Sequence, residues 1–298
     1  MSTSTKGRWR PVLPEGRFVE LPGRGRTFVR ECPGPEGAPT VVLLHGWMAT
    51  AGLNWSPSFA PLATDFRVIA LDHRGHGRGL RSRASFRLED CADDVAALLQ
   101  AVGVERCIAV GYSMGGAIAQ LLWQRHPTLV DGLVLCATAA TFHGTSREML
   151  LSNVATAGSM LAGVPLTRPL AVGAMSALRA WGLIRRSSWW GLEEIKGHDW
   201  TRIVEAGREI CRFDSRPWML DMSVPTAVIA THDDEIVPHR RQLALARVIP
   251  GATLRAVAGG HSACTTAPEQ FVPALVEATV EVADRAPVAG TRPCVHAA

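Results

Sequence analysis

Lysine is almost missing from this chain: among 31 basic side chains only Lys6 and Lys196 are lysines. The arginines are scattered, and 31 bases against 27 acids leave a net charge of +4. A nucleic-acid binder gathers its cations on one face, so a nucleic-acid partner is excluded. No uncharged apolar run reaches the roughly 18 residues that a membrane span needs. Residues 1–15 carry basic side chains but no apolar stretch, so no signal peptide is expected. The seven cysteines include no C-x-x-C pair, and an odd number cannot all pair within the chain. Several sit in apolar text such as Cys107-Ile108-Ala109-Val110. They read as buried free thiols of a reducing compartment rather than a disulfide framework or a zinc site, which makes the cytoplasm the expected location. Internal repeats and low-complexity tracts are absent as well.

What the chain does have is apolar bulk. With 47% hydrophobic and 19% charged residues it is neither disordered, collagen-like nor a coiled coil. At 298 residues it can bury roughly 75% of the surface of its unfolded form, enough for one large core. Candidate strands at 17–21 and 26–31 flank a turn at Pro22-Gly23. The runs 40–44, 67–71, 107–110, 132–136 and 227–230 are continuous stretches of β-branched, Leu and Ala residues, the pattern of strands buried on both faces. A further strand-like stretch covers 253–257. Helical spacing of apolar residues marks 88–102, 114–125, 241–248 and 268–282. Glu89, Asp90, Asp93 and Asp94 complement the positive end of the first of these helices. Strands alternating with helices imply an α/β fold, a doubly wound, mostly parallel sheet covered on both faces.

Residues 140–222 break that rhythm. No strand pattern occurs there, only Leu/Ala/Met/Trp-rich helical text interrupted by Gly and Pro, with Trp181, Trp189, Trp190 and Trp200 inside it and Trp218 at its edge. The segment is expected to be an inserted helical lid, dividing the core into 1–139 and 223–298.

The strongest chemical signal is Gly111-Tyr112-Ser113-Met114-Gly115, a G-x-S-x-G between an apolar strand and an amphipathic helix. That context makes a nucleophile elbow, a tight turn whose glycines clear the space around an exposed serine. A serine needs a positioned base, itself oriented by a third group. With this elbow the acid follows in the chain and the histidine comes last. His261, preceded by Gly259-Gly260 and followed by a helix, is the candidate base. The acid lies in Thr231-His232-Asp233-Asp234-Glu235-Ile236-Val237-Pro238, where three consecutive carboxylates leave the choice open. The strand ending at Cys136 is followed by no acid. The backbone N–H of Met114, at a helix N-terminus, and that of Trp47, in the turn allowed by Gly46, are the candidate oxyanion donors. His45 reads as a structural hydrogen-bonding residue, and Asp72-His73-Arg74-Gly75-His76-Gly77 as a hydrogen-bonded turn with Asp72 and Arg74 paired.

These motifs, in this order, resemble the α/β-hydrolase superfamily, and within it the lidded serine esterases and lipases of actinobacteria. The resemblance covers about residues 40–283. It implies a Ser-Asp-His triad, and because the family's acid commonly stands four residues before the proline of D-x-x-V-P, it favours Asp234 over Asp233. It implies hydrolysis of a carboxylic ester, with lipid esters and thioesters included, through an acyl-enzyme and without a metal or organic cofactor. Cofactor-free haloperoxidases and carbon–carbon bond hydrolases share the triad, and ligand receptors share the fold. Epoxide hydrolases and haloalkane dehalogenases carry aspartate at the elbow, and Ser113 argues against both. One departure is Arg78-Gly79-Leu80, where the turn after Asp72 usually continues to a serine. In the lid, cationic Arg185-Arg186 between Trp181 and Trp189-Trp190 suits an acyl-chain pocket or a peripheral lipid-surface contact. The expected partner is thus a small-molecule ester bound in part by Trp181, Trp189 and Trp190.

Overall fold

The structure is a computed structural model that describes residues 11–142 and 189–286. Its centre is an eight-stranded sheet. In the strands β3 (Thr40–Leu44), β4 (Arg67–Leu71) and β5 (Cys107–Tyr112), neighbouring side chains point to opposite faces and both faces are buried. Val42, Leu44, Ile69, Leu71 and Ala109 join one core cluster, while Val41, Leu43, Val68, Ala70, Ile108 and Val110 join the other. This is why these runs are apolar without alternation. Burying each larger aliphatic side chain of this kind contributes about 1.5–3 kcal/mol.

The remaining strands are β1 (Gly16–Leu21), β2 (Gly25–Cys32), β6 (Val130–Cys136), β7 (Thr226–Thr231) and β8 (Thr253–Val257). The order across the sheet is β1-β2-β4-β3-β5-β6-β7-β8, with β1 and β2 antiparallel and β3 to β8 parallel. All eight lie where the sequence pattern places them, with ends moved by no more than two residues. Short helices α1 (Ala51–Trp55) and α2 (Phe59–Leu62) are not foreseen by the patterning. Helices α3 (Leu88–Ala101) and α4 (Met114–Arg125) pack on the first cluster. The acids of α3 do more than meet its dipole: Asp94 pairs with Arg24 and Arg74, and Asp93 with Arg125.

Between β6 and β7, α5 (Trp189–Lys196) and α6 (Trp200–Arg212) are described; α6 starts at Asp199, whose side chain accepts the Arg202 N–H. Residues 143–188 of the expected lid, Trp181 among them, lie outside the described residues. Thr141 bridges to Asp214, and the Ser215 N–H donates to Ala140 O at 2.9 Å, so the chain leaves and re-enters the core at one point. The helices α7 (His239–Val248), α8 (Ala263–Thr266) and α9 (Pro268–Arg285) complete the order. Among the described residues no helix is long and apolar enough to cross a membrane. Of the six described cysteines, Cys91, Cys107, Cys136 and Cys264 are buried free thiols, and Cys32 and Cys211 are partly exposed.

The chain runs from β3 outward to β4 and then crosses to β5 on the other side. The carboxyl ends of β3 and β5 therefore flank a topological switch point, where open α/β sheets bind their ligands.

Candidate active site

Ser113 stands between β5 and α4 with φ +55° and ψ −116°, a backbone conformation that costs a non-glycine residue energy. The turn is pinned from several sides. The Ser113 N–H donates to Cys136 O (2.9 Å), and its carbonyl accepts the Thr138 hydroxyl (2.8 Å) and the Gly116 N–H (2.9 Å). A Cβ on Gly115 would run into the Leu44 carbonyl, and one on Gly111 into the Gly115 carbonyl, so α4 can approach β3 and β5 only as glycine. Gly115→Ala is expected to lower stability by about 1–3 kcal/mol, since backbone must shift to admit the methyl. Thermal unfolding reads this as a loss of roughly 2–4 °C per kcal/mol.

Three segments far apart in sequence meet at this turn. The Ser113 hydroxyl lies 2.9 Å from His261 Nε2, and His261 Nδ1 lies 2.8 Å from Asp234 Oδ2. With Nδ1–H donating to the carboxylate, Nε2 is free to accept the serine proton. The Asp234 side chain is fully buried, whereas Asp233 is exposed beside His232. Oδ1 of Asp234 accepts the N–H groups of Ile236 (2.9 Å) and Val237 (2.8 Å). Oδ2 accepts the Thr231 hydroxyl (2.7 Å) and Gln242 Nε2 (3.1 Å) as well as His261. Burial alone would raise the Asp234 pKa, but these bonds, led by that from His261, outweigh it and hold the carboxyl below its usual range. The Tyr112 hydroxyl fastens the backbone of His261, donating to its carbonyl O at 2.8 Å. Gln242, Tyr112 and Thr138 went unmarked in the sequence. Each stands in an ordinary helix, strand or loop position, and only the fold turns it toward the site.

Loop 45–50 after β3 lies directly beside the serine: a methyl on Gly46 would meet Ser113 Cβ at 3.4 Å. The positive φ of this turn is at Met48 (+59°), not at Gly46, where the sequence reading puts the freedom. Gly46 N–H donates to Asn54 Oδ1 (2.9 Å). His45 Nε2 accepts the His73 N–H (2.9 Å), so its Nδ1 carries the hydrogen and donates to Gly46 O (2.8 Å). The Gly46 carbonyl and the Trp47 N–H belong to one planar trans peptide, and fixing the first fixes the direction of the second. His45 is thus structural, as expected, but for a specific peptide. On the other side of Ser113, the Met114 N–H opens α4, where no preceding helical carbonyl can accept it.

The turn after β4 differs from expectation. Asp72 does not pair with Arg74. Its oxygens accept the N–H groups of Ala51 and Arg78 (2.9 Å each), and Arg74 reaches Asp90 and Asp94 on α3 instead. The buried carboxylate faces backbone donors, while the guanidinium points to the acids the sequence assigned to the helix dipole. Burial pushes Asp72 up to about 6 despite those N–H bonds. His45, His73, His76 and His198 pack nearby, with ring centroids 4.4 Å apart for His45–His73, 5.2 Å for His45–His76 and 5.6 Å for His76–His198. Burial lowers all four, His45 to about 3 and His198 to about 4, so the imidazoles are neutral at physiological pH. Cys264, bonded by Asn54 Nδ2, is pushed by burial to about 12 and is no nucleophile there. Of the expected acyl-pocket residues, Trp190 is half-buried against the cluster of Met48, Ala49, Leu53, Ile195 and Ile203, and Trp189 opens α5.

A mostly parallel sheet with a strained serine at its carboxyl edge, a histidine and a buried carboxylate behind it, is the framework of a hydrolase. Residues 39–268 match the family described as the alpha/beta hydrolase fold, and the chain belongs to that family. It is 30% identical over 243 residues to the RutD protein of Serratia proteamaculans (strain 568), named as a carbamate hydrolase, covering 78% of this chain and 88% of that one. Among solved structures, Est816, described as an N-acyl homoserine lactone degrading enzyme, superposes with a TM-score of 0.67 at 25% identity, covering 87% of this chain and 98% of that one. Bromoperoxidase from Bacillus anthracis superposes with a TM-score of 0.76 at 16% identity, over 88% and 99% of the two chains, and shows the fold alone.

Proposed function

We propose that this chain is a serine hydrolase that cleaves carboxylic esters of small molecules through an acyl-enzyme. The observation that carries the reading is the continuous relay from Ser113 Oγ through His261 (2.9 Å) to buried Asp234 (2.8 Å). In this reading His261 Nε2 takes the serine proton as Oγ attacks the ester carbonyl, and Asp234 holds the imidazolium that forms. The N–H groups of Trp47 and Met114 bind the oxyanion, a role typically worth about 10²–10³-fold in rate per donor. The imidazolium then protonates the leaving alcohol, and water activated by the same base releases the acid. A second reading is carbamate cleavage, favoured by the 30% identity to a protein named for that reaction. A carbamate presents the same trigonal carbonyl to the same serine.

The insertion is read as the acyl-chain wall and a peripheral contact for lipid esters, with Trp189 and Trp190 part of it. Hydrolysis of a p-nitrophenyl ester series from acetyl to palmitoyl, beside p-nitrophenyl carbamates, tests the assignment. Turnover of esters with a chain-length optimum that moves in Trp189→Ala or Trp190→Ala is the expected result. Carbamate turnover alone would favour the second reading. Turnover of neither would overturn both and direct attention to peroxide-dependent halogenation and carbon–carbon cleavage.

A further inference from the structure

Loop 45–50 is gripped by the insertion as well as by the sheet. His198, between α5 and α6, accepts the Gly77 N–H at Nδ1 (2.7 Å) and faces the Met48 carbonyl with Nε2 (3.2 Å). Since Nδ1 is an acceptor, Nε2 carries the hydrogen and donates to Met48. The Trp47 indole N–H donates to Ile203 O (2.7 Å), and the Thr50 hydroxyl to Glu194 Oε2 (2.8 Å). Gly207 on α6 lies so close to the indole that a Cβ there would stand 2.8 Å from Trp47 Cζ2. Met48, Ala49 and Leu53 form a small core with Ile195 and Ile203, separate from the two large clusters against the sheet.

The apolar part of this grip lies apart from the two core clusters that cover the sheet. Its contacts converge on the residues that follow the Gly46–Trp47 peptide. Met48 keeps a left-handed backbone at φ +59°, which a non-glycine residue retains only where its surroundings over-determine it. The His45 bond fixes one side of this loop from within the core, and the insertion supplies the other. We infer that His198 is a positioning residue for the oxyanion loop, so that attack by Ser113 is fast only while the α5–α6 segment is seated on Met48 and Trp47. The inference rests on the oxyanion role proposed for Trp47. It ties the rate of the chemical step to the seating of the insertion, a separate matter from any part the insertion plays in binding the acyl chain.

Two variants separate bonding from filling. In His198→Phe the ring volume stays and both hydrogen bonds vanish. In His198→Gln one amide supplies an acceptor for Gly77 and a donor for Met48. Amide hydrogen exchange of the full chain, followed by mass spectrometry, is expected to show at least tenfold faster exchange for the peptide spanning 45–55 in His198→Phe. The peptide spanning 114–125 should be unchanged, and His198→Gln should lie near the wild type. In p-nitrophenyl ester hydrolysis, His198→Phe should lose about 10- to 100-fold in kcat, the range expected when a catalytic group is misplaced by about 1 Å. Its KM should change less than threefold, and His198→Gln should recover most of the rate. Unchanged exchange in His198→Phe overturns the grip, and a loosened loop with unchanged kcat overturns the positioning role. If the wild type hydrolyses no ester, the oxyanion reading of the proposed function has failed, while the exchange data still report whether His198 holds the loop.

Discussion

Ser113→Ala is expected to reduce kcat for ester substrates by about 10⁴–10⁶-fold, with KM changed little and the protein still folded. Among the described residues the hydroxyl bonds to His261 Nε2 alone, so its removal leaves one acceptor on a partly exposed ring without that partner. Nothing else in the turn depends on it, because the Ser113 N–H and carbonyl are held by Cys136, Thr138 and Gly116. The size follows from serine hydrolases in which the nucleophile is removed and only binding and oxyanion stabilisation remain. Steady-state kinetics of purified wild type and variant, each checked by circular dichroism, would decide it. A variant retaining a tenth of the activity would mean that Ser113 is not the nucleophile.

Asp234→Asn is expected to cost about 10⁴-fold in kcat. The carboxylate accepts from five donors: two backbone N–H groups at Oδ1, and Thr231, Gln242 and His261 at Oδ2. An asparagine can keep its carbonyl oxygen on the backbone pair. Its NH₂ then faces three donors, and His261 relieves the conflict only by turning Nδ1 into an acceptor. That tautomer places a hydrogen on Nε2, where the base must be vacant to receive the Ser113 proton. Asp233→Asn, at an exposed position, should leave kcat within about twofold, and equal losses in both variants would refute the assignment. The pH dependence follows from the sign of the shift. The Asp234 carboxyl is held below its usual range, so its contribution to stability is present above the unfolded carboxylate pKa, about 3.9. It is lost only as the pH falls through the lower folded value. Acid unfolding of Asp234→Asn should therefore begin at a pH no lower than that of the wild type, and the gap in stability between them should close as the pH falls below the usual carboxylate range.

Much of this molecule is local in origin and could be read from residue order. A strand buried on both faces has no polar alternation, so Thr40–Leu44, Arg67–Leu71 and Cys107–Tyr112 announce themselves. The serine turn is equally local, because clearance for Ser113 must come from glycines two positions away on either side. The choice between the two candidate carboxylates is not local. Asp233 and Asp234 are adjacent and chemically identical, and only the end of β7 decides which of them turns inward against Thr231 and Gln242. Arg74 was misassigned for the same reason: its partners Asp90 and Asp94 are 16 and 20 residues away, and no pattern links them.

The order of residues by itself determined the α/β class, the serine elbow and the histidine at the end of the last strand. Each depends on the conformational preferences of a few neighbouring residues. The tertiary structure alone decided that Ser113 and His261, 148 residues apart, share a hydrogen bond, and that the Gly46–Trp47 peptide faces as it does. It also decided that His198, 150 residues from Met48, reaches that residue's carbonyl. Those contacts arise where strand ends, loops and the insertion converge at the carboxyl edge of the sheet. Their geometry is set by packing between elements, which no run of adjacent residues can encode.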